Sequence, residues 1–167
     1  MNKITVHMTK EALFDFLLFH AYSKFSGFLI NILGLAVAFT GVFMYLSGKT
    51  GAVSVALYLA AALLFLGNMP FQLSRRAKKQ VLTNPEYCNP VIYTFSEEEG
   101  IFAEYGENLH HYSWEEIERA VVTPKTIGIY YEKERAFIIP KQDFGDQFID
   151  IFQMVARHLG RNRVRMR

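Results

Sequence analysis

Two long apolar stretches, separated by a short polar link, dominate the hydrophobic pattern of this chain. They cover residues 25–46 and 52–73, and Lys49 is the only charged residue between positions 25 and 73. About 20 residues of helix cross the roughly 30 Å of hydrocarbon in a bilayer, where a helix satisfies its own backbone hydrogen bonds. The pattern predicts two transmembrane helices rather than two core helices of a soluble protein, because so short a chain lacks the residues to surround both.

The link, residues 47–51, is short enough to make the two helices antiparallel neighbours. In the first stretch Gly27, Gly34 and Gly41 recur every seven residues. Small residues mark close helix contacts in lipid. This glycine seam suits packing within one hairpin or between two copies in a homo-oligomer, and the sequence leaves both open.

Basic residues set the expected orientation of this hairpin. Lys24 precedes the first stretch, whereas the link carries only Lys49. Four more basic residues follow the second stretch directly, namely Arg75, Arg76, Lys78 and Lys79. Cytoplasmic flanks carry an excess of Lys and Arg, so we expect a multi-pass protein of the cytoplasmic membrane with both termini in the cytoplasm. The basic run begins a predicted linker, residues 74–90, and is expected to contact anionic lipid headgroups.

The N-terminal segment, residues 1–24, opens with alternating apolar positions typical of a strand over 3–8. Thr9 is a candidate N-cap for the helix that follows over residues 10–24. That helix is too apolar for a free surface helix. It therefore lies in the membrane interface or is covered by the domain that follows the hairpin.

Beyond the linker, short β-branched and aromatic runs alternate with turn signals, which is typical of antiparallel strands. The predicted strands cover residues 91–96, 101–105, 109–114, 117–123, 126–131 and 136–139, and an amphipathic helix follows over 144–159. We predict an antiparallel β-roll over residues 91–160, capped by that helix, with strand 3–8 covering its open edge. The fold class is thus a membrane protein of α+β type, with a basic tail at 161–167.

Five short motifs carry a family resemblance: Tyr93-Thr94-Phe95-Ser96, Gly100-Ile101, Trp114-Glu115-x-Ile117, Ile129-Tyr130 and Ile138-Ile139-Pro140-Lys141-x-x-Phe144. Together they resemble the YcxB-like family, small bacterial membrane proteins with two helices before such a domain. The resemblance implies a domain similar to bacterial pleckstrin-homology-like domains, a bacterial membrane location and no catalytic residues to transfer. The expected domain core contains Phe95, Ile101, Trp114, Ile117, Ile139 and Phe144.

The sequence shows no residue pattern typical of a catalytic, cofactor or metal site. His110 and His111 are neighbours in a strand and point to opposite faces, with His110 expected in the core. Cys88 has no evident activating partner. We therefore predict a protein that is not an enzyme and needs no cofactor. The alternative is a membrane-associated hydrolase, whose pocket would join two or more of Glu104, Glu115, Glu116 and His111.

The tail is the most basic segment, with Arg161, Arg163 and Arg165 as candidate contacts for anionic lipid. The other interpretations are a solubilising end and a nucleic-acid contact. The last is disfavoured because no aromatic residues interleave with the arginines. The function predicted from these features is a non-catalytic, membrane-anchored interaction, scaffold or regulatory module. It would hold a pleckstrin-like domain at the cytoplasmic membrane face and bind anionic lipid or an unidentified protein partner.

Overall fold

The computed structural model describes residues 1–23 and 25–166, so Lys24 lies outside the described residues. The chain forms two compact units. The hairpin unit is Leu17–Arg76, and the β unit combines Met1–Phe16 with Ala77–Arg167. Among the described residues, two helices are long and apolar enough to span a membrane.

The hairpin unit is built on α2 (Phe25–Leu46) and on most of α3 (Ala52–Thr83). A Cβ at Gly34 would come within 2.9 Å of the Leu66 side chain, and one at Gly41 would collide with Tyr58. These two glycines of the seam therefore let α3 approach α2 within one chain. A second copy that used the same seam would have to displace α3.

Large apolar side chains face outward along both helices of the hairpin. Phe39 of α2 is 71% exposed and Leu64 of α3 is 75% exposed. In water such a surface would be costly to leave uncovered, whereas hydrocarbon covers it without loss.

The predicted linker is largely helical. α3 continues through the basic run to Thr83, and the side chain of Asn84 caps the short helix α4 (Pro85–Cys88) by accepting from the Glu86 N–H. The break expected at Asn84-Pro85 is present, but most of the segment before it belongs to α3.

The first sheet of the β unit contains four antiparallel strands in the order β1-β2-β3-β4. They are β1 (Asn2–Val6), β2 (Val91–Ser96), β3 (Gly100–Tyr105) and β4 (Asn108–Tyr112). β1 pairs with β2 along its whole length, from Asn2 opposite Phe95 to Val6 opposite Val91. The N-terminal strand therefore covers the edge of β2, as predicted.

The second sheet has the order β7-β6-β5-β8. Its strands are β5 (Arg119–Val122), β6 (Thr126–Tyr130), β7 (Ala136–Pro140) and β8 (Val164–Met166). β8 comes from the basic tail and pairs in parallel with β5, with Val164 opposite Ala120. The tail is thus an ordered edge strand, and the β unit extends beyond the boundary predicted at residue 160.

The core lies between the two sheets and is closed by α5 (Phe148–Leu159), which follows a 3-10 segment at Lys141–Gln147. Ile151, Val155 and Leu159 of α5 are buried against this core. Five of the six predicted core residues are fully buried, namely Phe95, Ile101, Ile117, Ile139 and Phe144. The sixth, Trp114, is half-buried at the edge of the cluster.

Helix α1 (Lys10–Ser23) begins on the second sheet. Thr9 caps it by accepting a hydrogen bond from the Ala12 N–H. Leu13 and Phe16 are buried, and the Phe16 ring occupies the space that a Cβ at Gly128 would need. Of the two predicted settings for this helix, the β unit therefore covers its first half.

Candidate functional sites

The basic run on α3 forms an exposed, positively charged surface. Arg75, Arg76, Lys78 and Lys79 are all exposed, whereas Ala77 between them is fully buried. Successive residues of a helix turn by about 100°, which places Arg75 and Lys79 on the side opposite Ala77, with Arg76 and Lys78 on the two flanks. The buried alanine thus fixes which face of the helix carries the charges. This surface can attract anionic groups.

The arginines of the tail have different surroundings. Arg163 donates from Nε to the Leu159 carbonyl at 2.9 Å and from Nη1 to the Ile117 carbonyl at 3.3 Å. Its guanidinium therefore links the end of α5 to the segment before β5. Arg165 is exposed on β8, and the side chain of Arg161 lies outside the described part of the chain.

A small cavity lined by tyrosines lies between the two sheets. The Tyr93 and Tyr105 hydroxyls are 3.3 Å apart, and Tyr87 and Tyr131 also line the cavity. Burial raises the pKa of Tyr105 to about 12 and raises the pKa of Tyr93 well above its ordinary value. The cavity volume is about 30 Å³. That is room for about one water molecule, whereas small-molecule sites occupy about 300–1,000 Å³.

The hydrolase alternative requires a pocket that joins two or more of Glu104, Glu115, Glu116 and His111, and none of these residues lines this cavity. Glu116 accepts hydrogen bonds from the backbone and hydroxyl of Ser113, which lower its pKa. Glu104 pairs with Lys3 at 3.3 Å. Glu115 is exposed.

The two histidines of β4 are both exposed. His111 lies on the outer face, as expected, and stacks on Phe102 with ring centroids 4.5 Å apart. The prediction that His110 is a core residue is wrong. β4 is an edge strand, and alternation fixes the side to which a residue points but not whether anything covers it. Among residues 1–23 and 25–166, no three His, Cys, Asp or Glu side chains are grouped to hold a metal ion.

A cluster that sequence reasoning missed fastens the end of α5. The Trp114 and His158 rings stack in parallel at 4.4 Å, and the indole Nε1 donates to the Ser96 carbonyl at 3.0 Å. Arg157 Nη1 pairs with Glu97 Oε1 at 2.5 Å. Glu97 reads as a solvated turn residue, and its partner is 60 positions away. No local pattern reveals such a pair.

Comparison with known proteins identifies one segment of the chain. Residues 97–154 match the family described as YcxB-like protein. This match runs from the turn after β2 into α5, and it confirms the resemblance carried by the sequence motifs. No curated protein and no solved structure matches the chain.

Proposed function

Since the chain carries a YcxB-like domain over residues 97–154, we propose that it is a non-catalytic, membrane-anchored interaction module. In this proposal α2 and α3 span the cytoplasmic membrane of a bacterium. The β unit is a pleckstrin-homology-like domain at the cytoplasmic face, where it binds anionic lipid headgroups and a protein partner. The two sheets and the closing helix α5 support the pleckstrin-like comparison.

The observation that carries the proposal is that the β unit is formed by segments from both sides of the hairpin. It takes Met1–Phe16 from before the hairpin and Ala77–Arg167 from after it. β1 forms a complete antiparallel ladder with β2, so both flanks of the hairpin have to be on one side of a membrane. An even number of spanning helices satisfies this requirement, and two helices qualify by length and composition.

The distribution of basic residues supports placing the β unit on the cytoplasmic side of the membrane. The run Arg75, Arg76, Lys78 and Lys79 follows the second apolar stretch, and the link carries Lys49 alone. Each basic group near an anionic leaflet contributes about 1 kcal/mol. The exposed basic surface of α3 therefore favours the cytoplasmic leaflet and holds the start of the β unit beside it.

Cys88 makes the topology directly testable, because it is the only cysteine of the chain and it is exposed. We expect a membrane-impermeant maleimide to label Cys88 only after cells are permeabilised. The matched control is Cys88→Ser combined with Lys49→Cys, which should label in intact cells. Labelling of Cys88 in intact cells would overturn the proposed orientation.

Lipid contact is tested by the same chain reconstituted in vesicles of phosphatidylcholine and phosphatidylglycerol. Replacing the four basic residues at 75–79 with Gln should abolish the enrichment of phosphatidylglycerol around the protein. Lys133→Gln with Arg135→Gln removes charge from an exposed turn of the β unit and serves as the control. Equal enrichment in both variants would argue against a lipid-contacting role for α3.

A further inference from the structure

A groove of about 960 Å³ lies on the hairpin unit, lined by Ile30 of α2 and by residues of α3 between positions 63 and 73. Its lining is mostly aliphatic and aromatic, with Leu64 and Phe71 among the α3 residues. The volume falls within the range of about 300–1,000 Å³ that small-molecule sites occupy. The groove therefore has space for a ligand with a substantial apolar part.

Polar residues follow one another out of this groove along α3. Asn68 and Gln72 line it, and the Gln72 Nε2 donates to the Asn68 Oδ1 at 3.0 Å. Arg75 and Arg76 follow three and four positions after Gln72, which places them on the same side of the helix. The Arg75 guanidinium lies over the Phe71 ring, 4.4 Å from its centroid.

The spacing of these residues matches the layers of a bilayer. At 1.5 Å per residue from Ala52, Asn68 lies about 24 Å along α3, Gln72 about 30 Å and Arg75 about 34 Å. The hydrocarbon layer is roughly 30 Å thick. The amides thus fall just inside and at its boundary, and the guanidinium groups fall among the headgroups.

We propose that this groove is a specific site for one anionic glycerophospholipid. An acyl chain occupies the apolar groove, the ester carbonyls accept from the amides of Asn68 and Gln72, and Arg75 with Arg76 binds the phosphate and the anionic headgroup. The order along α3 is the order of groups along such a lipid. The inference rests on the proposed function, because it requires α3 to leave the membrane at Arg75.

The side-chain amides of Asn68 and Gln72 favour a lipid that stays bound over the freely exchanging lipids of the bilayer. Two side-chain amides carry four N–H donors, and the hydrogen bonds of the described residues use one of them. An amide N–H without an acceptor is costly in an apolar layer. Ester carbonyls held beside Asn68 and Gln72 supply acceptors at the required depth. A guanidinium stacked on a ring still presents its N–H edge to a phosphate.

Gly67 offers a variant that fills the groove without disturbing the protein. It lines the groove, and a Cβ there would meet no atom within 4 Å. Gly67→Leu therefore projects into the groove, keeps every charge and raises helix propensity. Gly67→Ala is the matched control because its methyl group leaves most of the groove open.

The experiment counts phosphatidylglycerol bound to the delipidated full-length protein in detergent, by native mass spectrometry during titration. We expect saturation at one tightly bound lipid. Gly67→Leu and Gln72→Leu should each weaken it about tenfold, which corresponds to about 1.4 kcal/mol. Gly67→Ala should bind as the unaltered chain does, and glycerol 3-phosphate at equal concentration should not compete, because it lacks the acyl chains.

The outcomes separate this site from general charge attraction. If Arg75→Gln with Arg76→Gln weakens binding but Gly67→Leu and Gln72→Leu do not, only diffuse attraction exists and the site is refuted. Competition by glycerol 3-phosphate would refute the acyl-chain groove as well. If the arginine variant also binds normally, the site is refuted, whereas the lipid contact of the proposed function is refuted only if vesicle enrichment also persists after all four basic residues at 75–79 are replaced. Vesicle enrichment that persists without the bound lipid leaves the proposed function intact and removes the site alone.

Discussion

Arg163 and Arg165 lie two positions apart in the same basic tail, yet they have different neighbours. Arg163 donates to the carbonyls of Leu159 and Ile117, whereas Arg165 is exposed on β8. We expect Arg163→Gln to lower the free energy of unfolding by about 1.5 kcal/mol. This is the lower end of the range for hydrogen bonds from charged donors, because the residue is exposed.

Arg165→Gln is the control for that prediction, since it removes the same charge from the same tail and should change stability by about 0.5 kcal/mol or less. Denaturant unfolding of the full chain in detergent measures both. Equal effects of the two substitutions would mean that only the charge of the tail matters.

The buried pair Tyr93 and Tyr105 should make the β unit lose stability at alkaline pH. Burial raises the pKa of Tyr105 to about 12 from an unfolded value of 10.0, and it also raises the pKa of Tyr93 well above that unfolded value. The folded state therefore holds these protons more tightly than the unfolded state. Their contribution to stability is complete below pH 10 and is lost as the pH rises toward 12.

Tyr105→Phe should therefore flatten the fall in stability between pH 10 and pH 12, with a small loss at neutral pH because Tyr93 loses its hydroxyl partner. Unfolding free energies at pH 8 and pH 11, with absorbance at 295 nm as a second signal, check this. A parallel decline in the variant and the unaltered chain would place the cause of the alkaline loss of stability elsewhere.

At the scale of residues, the sequence predicts burial well where strands alternate and are covered. Phe95, Ile101 and Ile139 show this, each with no exposed surface. It fails at His110, where nothing covers an edge strand. The sequence also gives no sign of the hydrogen bonds of Arg163, whose acceptors are backbone carbonyls. Backbone carbonyls leave no signature in the sequence.

At the scale of elements, one carboxylate fastens α1 to the second sheet. Asp15 accepts from the Thr123 hydroxyl at 2.5 Å and from the Lys125 N–H at 3.1 Å. Thr123 is fully buried, so its hydroxyl cannot turn to water. Asp15→Ala should lower the free energy of unfolding by about 1–2 kcal/mol, because it removes two hydrogen bonds to a carboxylate, while the Thr123 hydroxyl can still donate to the Thr126 carbonyl at 3.0 Å.

Asp146→Asn, at an exposed carboxylate in the 3-10 segment, is the control for that prediction. Thermal unfolding of the full chain and amide exchange across α1 measure the effect. If Asp15→Ala leaves both the unfolding midpoint and the amide exchange of residues 12–16 unchanged, the hydrogen bonds of Asp15 do not hold α1 on the second sheet.

The elements were predictable wherever a local pattern is complete. β2 has the predicted bounds, and the break at Asn84-Pro85 ends α3. β8 was not predictable, because three residues carry too short a pattern and their partner β5 lies far away in the sequence. The helical course of residues 74–83 was missed since a run of charges was taken as a linker, although Lys and Arg are good helix formers.

At the scale of the whole molecule, the β unit is interrupted by the hairpin. β1 and the first half of α1 precede it, and everything else follows it. The pairing of β1 with β2 was foreseeable from the liability of an open edge. The docking of Leu13 and Phe16 on the second sheet was not, because an apolar helix next to a membrane segment has the same composition whether lipid or protein covers it.

This interruption predicts which pieces of the chain fold. Residues 77–167 alone lack β1 and α1, so they expose the edge of β2 and the surface that covers Leu13 and Phe16. We expect that fragment to aggregate. Joining residues 1–16 to 77–167 through a Gly/Ser linker of about 15 residues, which spans roughly 20 Å, should restore a folded, water-soluble domain. Slow amide exchange at residues 2–6 would identify the restored ladder, and Asp15→Ala in the fusion is the matched control. If fragment 77–167 is already soluble and as stable as the fusion, the N-terminal segment is not required for the fold of the domain. That result would remove the argument that this segment holds both flanks of the hairpin on one side of the membrane.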